Sequence, residues 1–66
     1  MTPKRKFPAN TWEVVVEVRL QGAQGNFYPM TRTIRAEERD IARFVSEDCG
    51  LDELEVRFIT SKRRLA

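Results

Sequence analysis

The feature that most restricts this chain is an unbroken alternation over residues 12–20. Trp12, Val14, Val16, Val18 and Leu20 fall on one side, and Glu13, Val15, Glu17 and Arg19 on the other. A period of two, carried largely by β-branched and aromatic side chains, predicts a strand with one buried face. Such a strand cannot stand alone. Its backbone needs hydrogen-bonding neighbours and its apolar face needs a covering layer, and the rest of a 66-residue chain must supply both.

The remaining segments meet that demand. Residues 21–26 read as a hairpin loop, because Gly22 and Gly25 provide the backbone freedom that a reversal needs. A second strand over residues 27–35 places Tyr28, Met30 and Ile34 on the inner face, with Arg32 interrupting them. Pro29 lacks a backbone donor, which assigns this strand to a sheet edge. Over residues 37–49, Ile41, Phe44, Val45 and Cys49 recur at i, i+3, i+4 and i+8 and predict one amphipathic helix. Glu37, Glu38 and Asp40 suit its first turn. No capping side chain precedes the helix, while Gly50 suits its end, with Leu51 folding back on the last turn. A final strand over residues 53–60 turns Leu54, Val56 and Phe58 inward and Glu53, Glu55, Arg57 and Ile59 outward.

A right-handed crossover can set the third strand beside the first. The expected fold is α+β: a small ββαβ domain with a three-stranded antiparallel or mixed sheet, order 2-1-3, and one helix on one face. Residues 11–60 form the single domain. Residues 1–10 read as a flexible basic N-terminal arm and residues 61–66 as a basic C-terminal tail. On this reading the folded body is mildly acidic, and the strong positive charge resides in the arms.

Composition narrows the chemistry. No histidine is present, so neither a Ser-His or Cys-His arrangement nor a histidine metal site can form within one chain. Cys49, the lone cysteine, cannot make an internal disulfide, and on the helix stripe it reads as a small buried hydrophobe. A small domain without disulfides fits a cytoplasmic setting. The longest apolar run is Val14-Val15-Val16, which predicts no membrane span, and no apolar stretch follows the basic N-terminus to make a secretory signal. Gly22 and Gly25 match no phosphate-binding pattern, and no cofactor is expected. Glu13, Glu17, Glu53 and Glu55 are the residues that a metal-assisted enzyme would use, but with Arg19 and Arg57 among them they read as a solvated sheet face. The expectation is a non-enzymatic chain.

Two binding surfaces remain. The first is the sheet face away from the helix and the free edge strand, with Val15, Arg19, Arg57, Ile59, Tyr28 and Arg32 as candidate contacts. It suits a protein-interaction module of regulator or inhibitor type, its partner another protein or a second copy in a homodimer. The second is the pair of basic arms, Lys4, Arg5 and Lys6 with Lys62, Arg63 and Arg64, which suit RNA or DNA backbone contact. Paired aromatics of the kind that stack bases are not expected on the outer face.

In outline, residues 12–60 resemble the ββαβ unit of the archaeal ribosomal protein LX family. They share a Gly-containing hairpin, an Arg-flanked second strand, an acidic helix start and a Ser46…Gly50 helix end. A basic, histidine-containing stretch follows the helix in that family; Asp52-Glu53-Leu54-Glu55 replaces it here, where RNA contact would be expected. The resemblance therefore implies the fold and does not extend to RNA contact.

Overall fold

The computed structural model describes residues 7–66. Strands β1 (Thr11–Leu20) and β2 (Tyr28–Arg35) are followed by a 3-10 turn at Glu38–Asp40, helix α1 (Ile41–Leu51) and strand β3 (Leu54–Arg64). The strands make one antiparallel sheet in the order β2-β1-β3, with α1 packed against one face. This is the α+β architecture expected from the sequence.

The most apolar strand occupies the centre. Val14, Val16 and Val18 are fully buried and meet Ile41, Val45 and Cys49 of the helix stripe, with Trp12 and Leu54 closing the core. Each such side chain stabilises the fold by roughly 1.5–3 kcal/mol relative to exposure. The Trp12 indole Nε1 donates to the Ala36 carbonyl at 3.0 Å, so burial of that ring strands no polar atom. Leu20, expected inside, is 58% exposed, because it is the last residue of β1 and the covered stripe ends at Val18.

The helix ends later than its sequence suggests. Gly50 stays helical, and the left-handed position falls on Glu53, with φ of 61°. The Asp52 and Glu53 amides donate to the Cys49 and Gly50 carbonyls, each at 3.0 Å, and close the last turn. The Gln21 amide then donates to the Glu53 carbonyl at 2.9 Å, tying this turn to the hairpin end of β1. With the left-handed position three residues further on than Gly50, Leu51 does not fold back and is 84% exposed.

Strand β3 departs most from expectation. It continues through Ser61, Lys62, Arg63 and Arg64, which lie opposite Val15, Val14, Glu13 and Trp12 of β1. The basic segment expected to leave the domain is therefore hydrogen-bonded sheet as far as Arg64. The β1–β3 register also shifts twice: Val18 meets Val56 but Glu17 meets Phe58, and Val16 meets Ile59 but Val15 meets Ser61. Arg57 and Thr60 are thus extra residues, two β-bulges, and each inverts the alternation that follows it. Phe58 is turned to the open face, 47% exposed, while Ile59 is turned inward onto the core. Both side chains are the reverse of the period-two expectation.

Two stability measurements follow. In urea denaturation, Ile59→Glu should destabilise the domain by about 2 kcal/mol or more and Phe58→Glu by about 1 kcal/mol or less; without the bulges the order would invert. Gly50→Ala should stabilise by about 0.5–1 kcal/mol, because Gly50 is helical, exposed, and a Cβ there meets nothing within 4 Å.

Candidate functional site

The uncovered sheet face is built from the odd-numbered side chains of β1 and the outward positions of β3. Three arginine–carboxylate pairs cross between these strands. Arg19 Nε meets Glu55 Oε1 at 2.5 Å, Arg57 pairs with Glu17, and Arg63 Nη2 meets Glu13 Oε1 at 3.0 Å. Such exposed pairs stabilise by about 0–1 kcal/mol each, so they order the surface more than they hold the fold.

Aromatic rings lie among these charges. The Arg19 guanidinium sits 4.3 Å from the centroid of Phe27, and that of Arg57 lies 4.9 Å from Phe27 and 5.0 Å from Phe58. Arg57 is thereby held between two phenylalanines, in contacts worth about 0.5–1 kcal/mol each at exposed sites. Arg19 Nη1 also donates to the Gly25 carbonyl at 3.0 Å, which ties the hairpin loop to this cluster. Val15, half-buried at the middle of β1, lies between Thr31 of β2 and Ser61 of β3. The bulged Thr60 donates its hydroxyl to the Val15 carbonyl at 3.0 Å.

Of the candidate contacts, the structure brings together Val15, Arg19 and Arg57. Ile59 is corrected to the inner face by the bulges. Tyr28 lies opposite Val18, on the helix side of the register, and is 44% exposed beyond the core. Arg32 lies opposite Val14, also on the helix side, where its guanidinium donates to Asp52 at 2.6 Å and Asp48 at 3.4 Å. The hydrogen bond to Asp52 holds Arg32 protonated more firmly than an ordinary arginine. Phe27 and Phe58, absent from the sequence-derived candidates, are central to the face. An Arg-Phe pair at 57–58 is visible in the sequence, but the bulge that exposes it is not.

The basic clusters fare differently. Lys4, Arg5 and Lys6 lie outside the described residues. Lys62 Nζ meets Glu38 at 3.2 Å, Arg63 meets Glu13, and Arg64 donates to Asn10 Oδ1 at 2.8 Å with its guanidinium 5.4 Å from the Trp12 ring. The C-terminal cations thus belong to the folded body. Residues 7–66 carry nine basic and ten acidic side chains, so this body is close to neutral, where a mildly acidic body with its positive charge in the arms was expected.

The carboxylates considered for a metal are dispersed: Glu13, Glu17 and Glu55 each face an arginine, and Glu53 lies in the turn before β3. Among the described residues no group of three or more His, Cys, Asp or Glu side chains is placed to hold a metal ion, and no cavity is present. No described helix is long and apolar enough to cross a membrane. Cys49 is fully buried, and burial pushes its thiol above the ordinary value, with Arg32 offsetting part of the shift. A raised native pKa contributes stability that is complete below the unfolded value near 8.5 and is lost as pH rises through the native value. Wild-type stability in urea should therefore fall more steeply above about pH 9 than that of Cys49→Ala; parallel profiles would show that the thiol does not contribute.

Comparison of the chain with protein-family models, with curated proteins and with solved structures gives no match.

Proposed function

We propose that this chain is a small non-enzymatic protein-interaction module, of regulator or inhibitor type, whose contact surface is the open face of its sheet. The observation that carries this reading is Phe58. A bulge turns the ring out of the core, leaves it 47% exposed and sets it against Arg57 on a face that no helix covers. Val15 and Phe27 lie in the same region, and the three arginine–carboxylate pairs run across it. Aromatic and arginine side chains at an apolar centre with a charged rim are what partner proteins bind most strongly. The lone buried Cys49 suits a cytoplasmic setting.

The test is affinity capture from lysate, with and without nuclease, using wild type, Phe58→Glu and Val15→Glu as baits. A protein partner that survives nuclease and is lost from both variants supports the reading, provided that both remain folded by circular dichroism. Capture unchanged by either substitution, or abolished by nuclease, overturns it. The second outcome would direct attention to the basic residues instead, through binding that weakens steeply with salt.

A further inference from the structure

Among the described residues both outer strands of the sheet ordered β2-β1-β3 have no strand beside their outer edge, and only one of them carries a proline. Strand β2 carries Pro29, which cannot donate to a neighbour. Strand β3 contains no proline along its 11 residues. Its charge is also unevenly distributed: Glu55 stands near its start, and Lys62, Arg63 and Arg64 at its end. An antiparallel neighbour with the same sequence would meet that distribution in reverse.

We propose that β3 is a homodimerisation edge, pairing antiparallel with β3 of a second copy about a two-fold axis at Ile59 to build a six-stranded sheet. The axis at Ile59 follows from the register. It places Leu54, Glu55 and Val56 of one copy opposite Arg64, Arg63 and Lys62 of the other. These are the two stretches of β3 that pair with β1 without a bulge. Both bulges, at Arg57 and Thr60, fall between them, so the regular ends meet each other and the irregular middle meets itself. Faces match as well: Glu55 and Arg63 share the open face, while Val56 and Lys62 share the helix side.

The electrostatics support the same register. Glu55 already faces Arg19 across its own sheet, and Arg63 faces Glu13. Pairing Glu55 with the second copy's Arg63 extends these into a row of alternating charge, Arg19, Glu55, Arg63, Glu13, running across four strands, and the two-fold generates it twice. Phe58 would lie opposite the second copy's Thr60, bringing the two exposed phenylalanines beside the axis and making the two open faces continuous. The backbone edge of β3 is distinct from the centre of the face assigned above, although Glu55 and Arg63 border both, and neither proposal requires the other.

Sedimentation of the full chain tests this with a pair of charge reversals. Wild type is expected to dimerise. Glu55→Arg places two arginines opposite each other at both ends of the paired edge, and Arg63→Glu places two glutamates there. Each variant alone should therefore associate about tenfold or more weakly. Mixed in equal amounts, the two variants place an arginine opposite a glutamate at both ends of the heterodimer, so the mixture should associate where each variant alone does not. In the double variant Glu55→Arg/Arg63→Glu both ends regain opposite charges in swapped order, and dimerisation should return. Simple loss of stability in either single variant would not be cured by adding the second substitution. A wild type that stays monomeric up to about 1 mM, single variants that associate as well as wild type, or a double variant that fails to associate would each overturn the proposal. A Val15→Glu chain that still dimerises but captures no partner would uphold this proposal alongside the open-face reading. One that captures its partner and does not dimerise would overturn the independence of the two surfaces.

Discussion

The structure depends on burial of one side of β1. Its valines are the most deeply buried residues of the sheet, and they reach that state only because β1 has strands on both sides and a helix over one face. A chain of this size has little apolar surface to bury and buries it once. The helix stripe is correspondingly narrow, with Ile41, Val45 and Cys49 aligned over the valines and Phe44 partly buried beside them. One covering layer for one sheet face leaves the other face open as a matter of arithmetic in secondary-structure elements, not as a special adaptation.

What is placed on that open face is decided by β3. An uninterrupted ladder would have hidden Phe58 and displayed Ile59. The two bulges exchange them and then restore Ser61 and Arg63 to the open side, where Arg63 finds Glu13. A bulge places an extra residue against a single partner, so the strand gains length without gaining a ladder position. That added length accompanies the run of β3 to Arg64, beside the start of β1, where the Leu65 amide donates to the Thr11 carbonyl at 2.8 Å. The basic C-terminal segment is held in the sheet by backbone bonds, with its charges matched by Glu38 and Glu13.

The helix is held to its sheet by polar contacts as well as apolar ones. Asp48 and Asp52 stand at the C-terminal end of α1, where the helix dipole disfavours carboxylates. Arg32 answers both from β2, and in doing so occupies an inward position between Met30 and Ile34 that would otherwise break the apolar face. The interruption of the β2 pattern and the acidic end of the helix, separate irregularities along the chain, are one interaction in three dimensions.

The fold was legible because its signals are local and periodic: the alternation of β1, the glycine-bearing loop, the helical stripe and Pro29 each report on a few neighbouring residues, and together they leave the order β2-β1-β3. The open face was legible too, since Val15, Arg19 and Arg57 lie on it. Tertiary structure alone decided which aromatic side chains join them, where β3 ends and which carboxylate meets which arginine. Those outcomes depend on the register between strands some 40 residues apart in the chain, as in the Glu17–Arg57 pair. A one-residue slip in that register changes no local propensity yet turns every following side chain to the opposite face. Periodicity within a strand therefore determines that it has two faces, and only its pairing with β1 determines which residues of β3 occupy each.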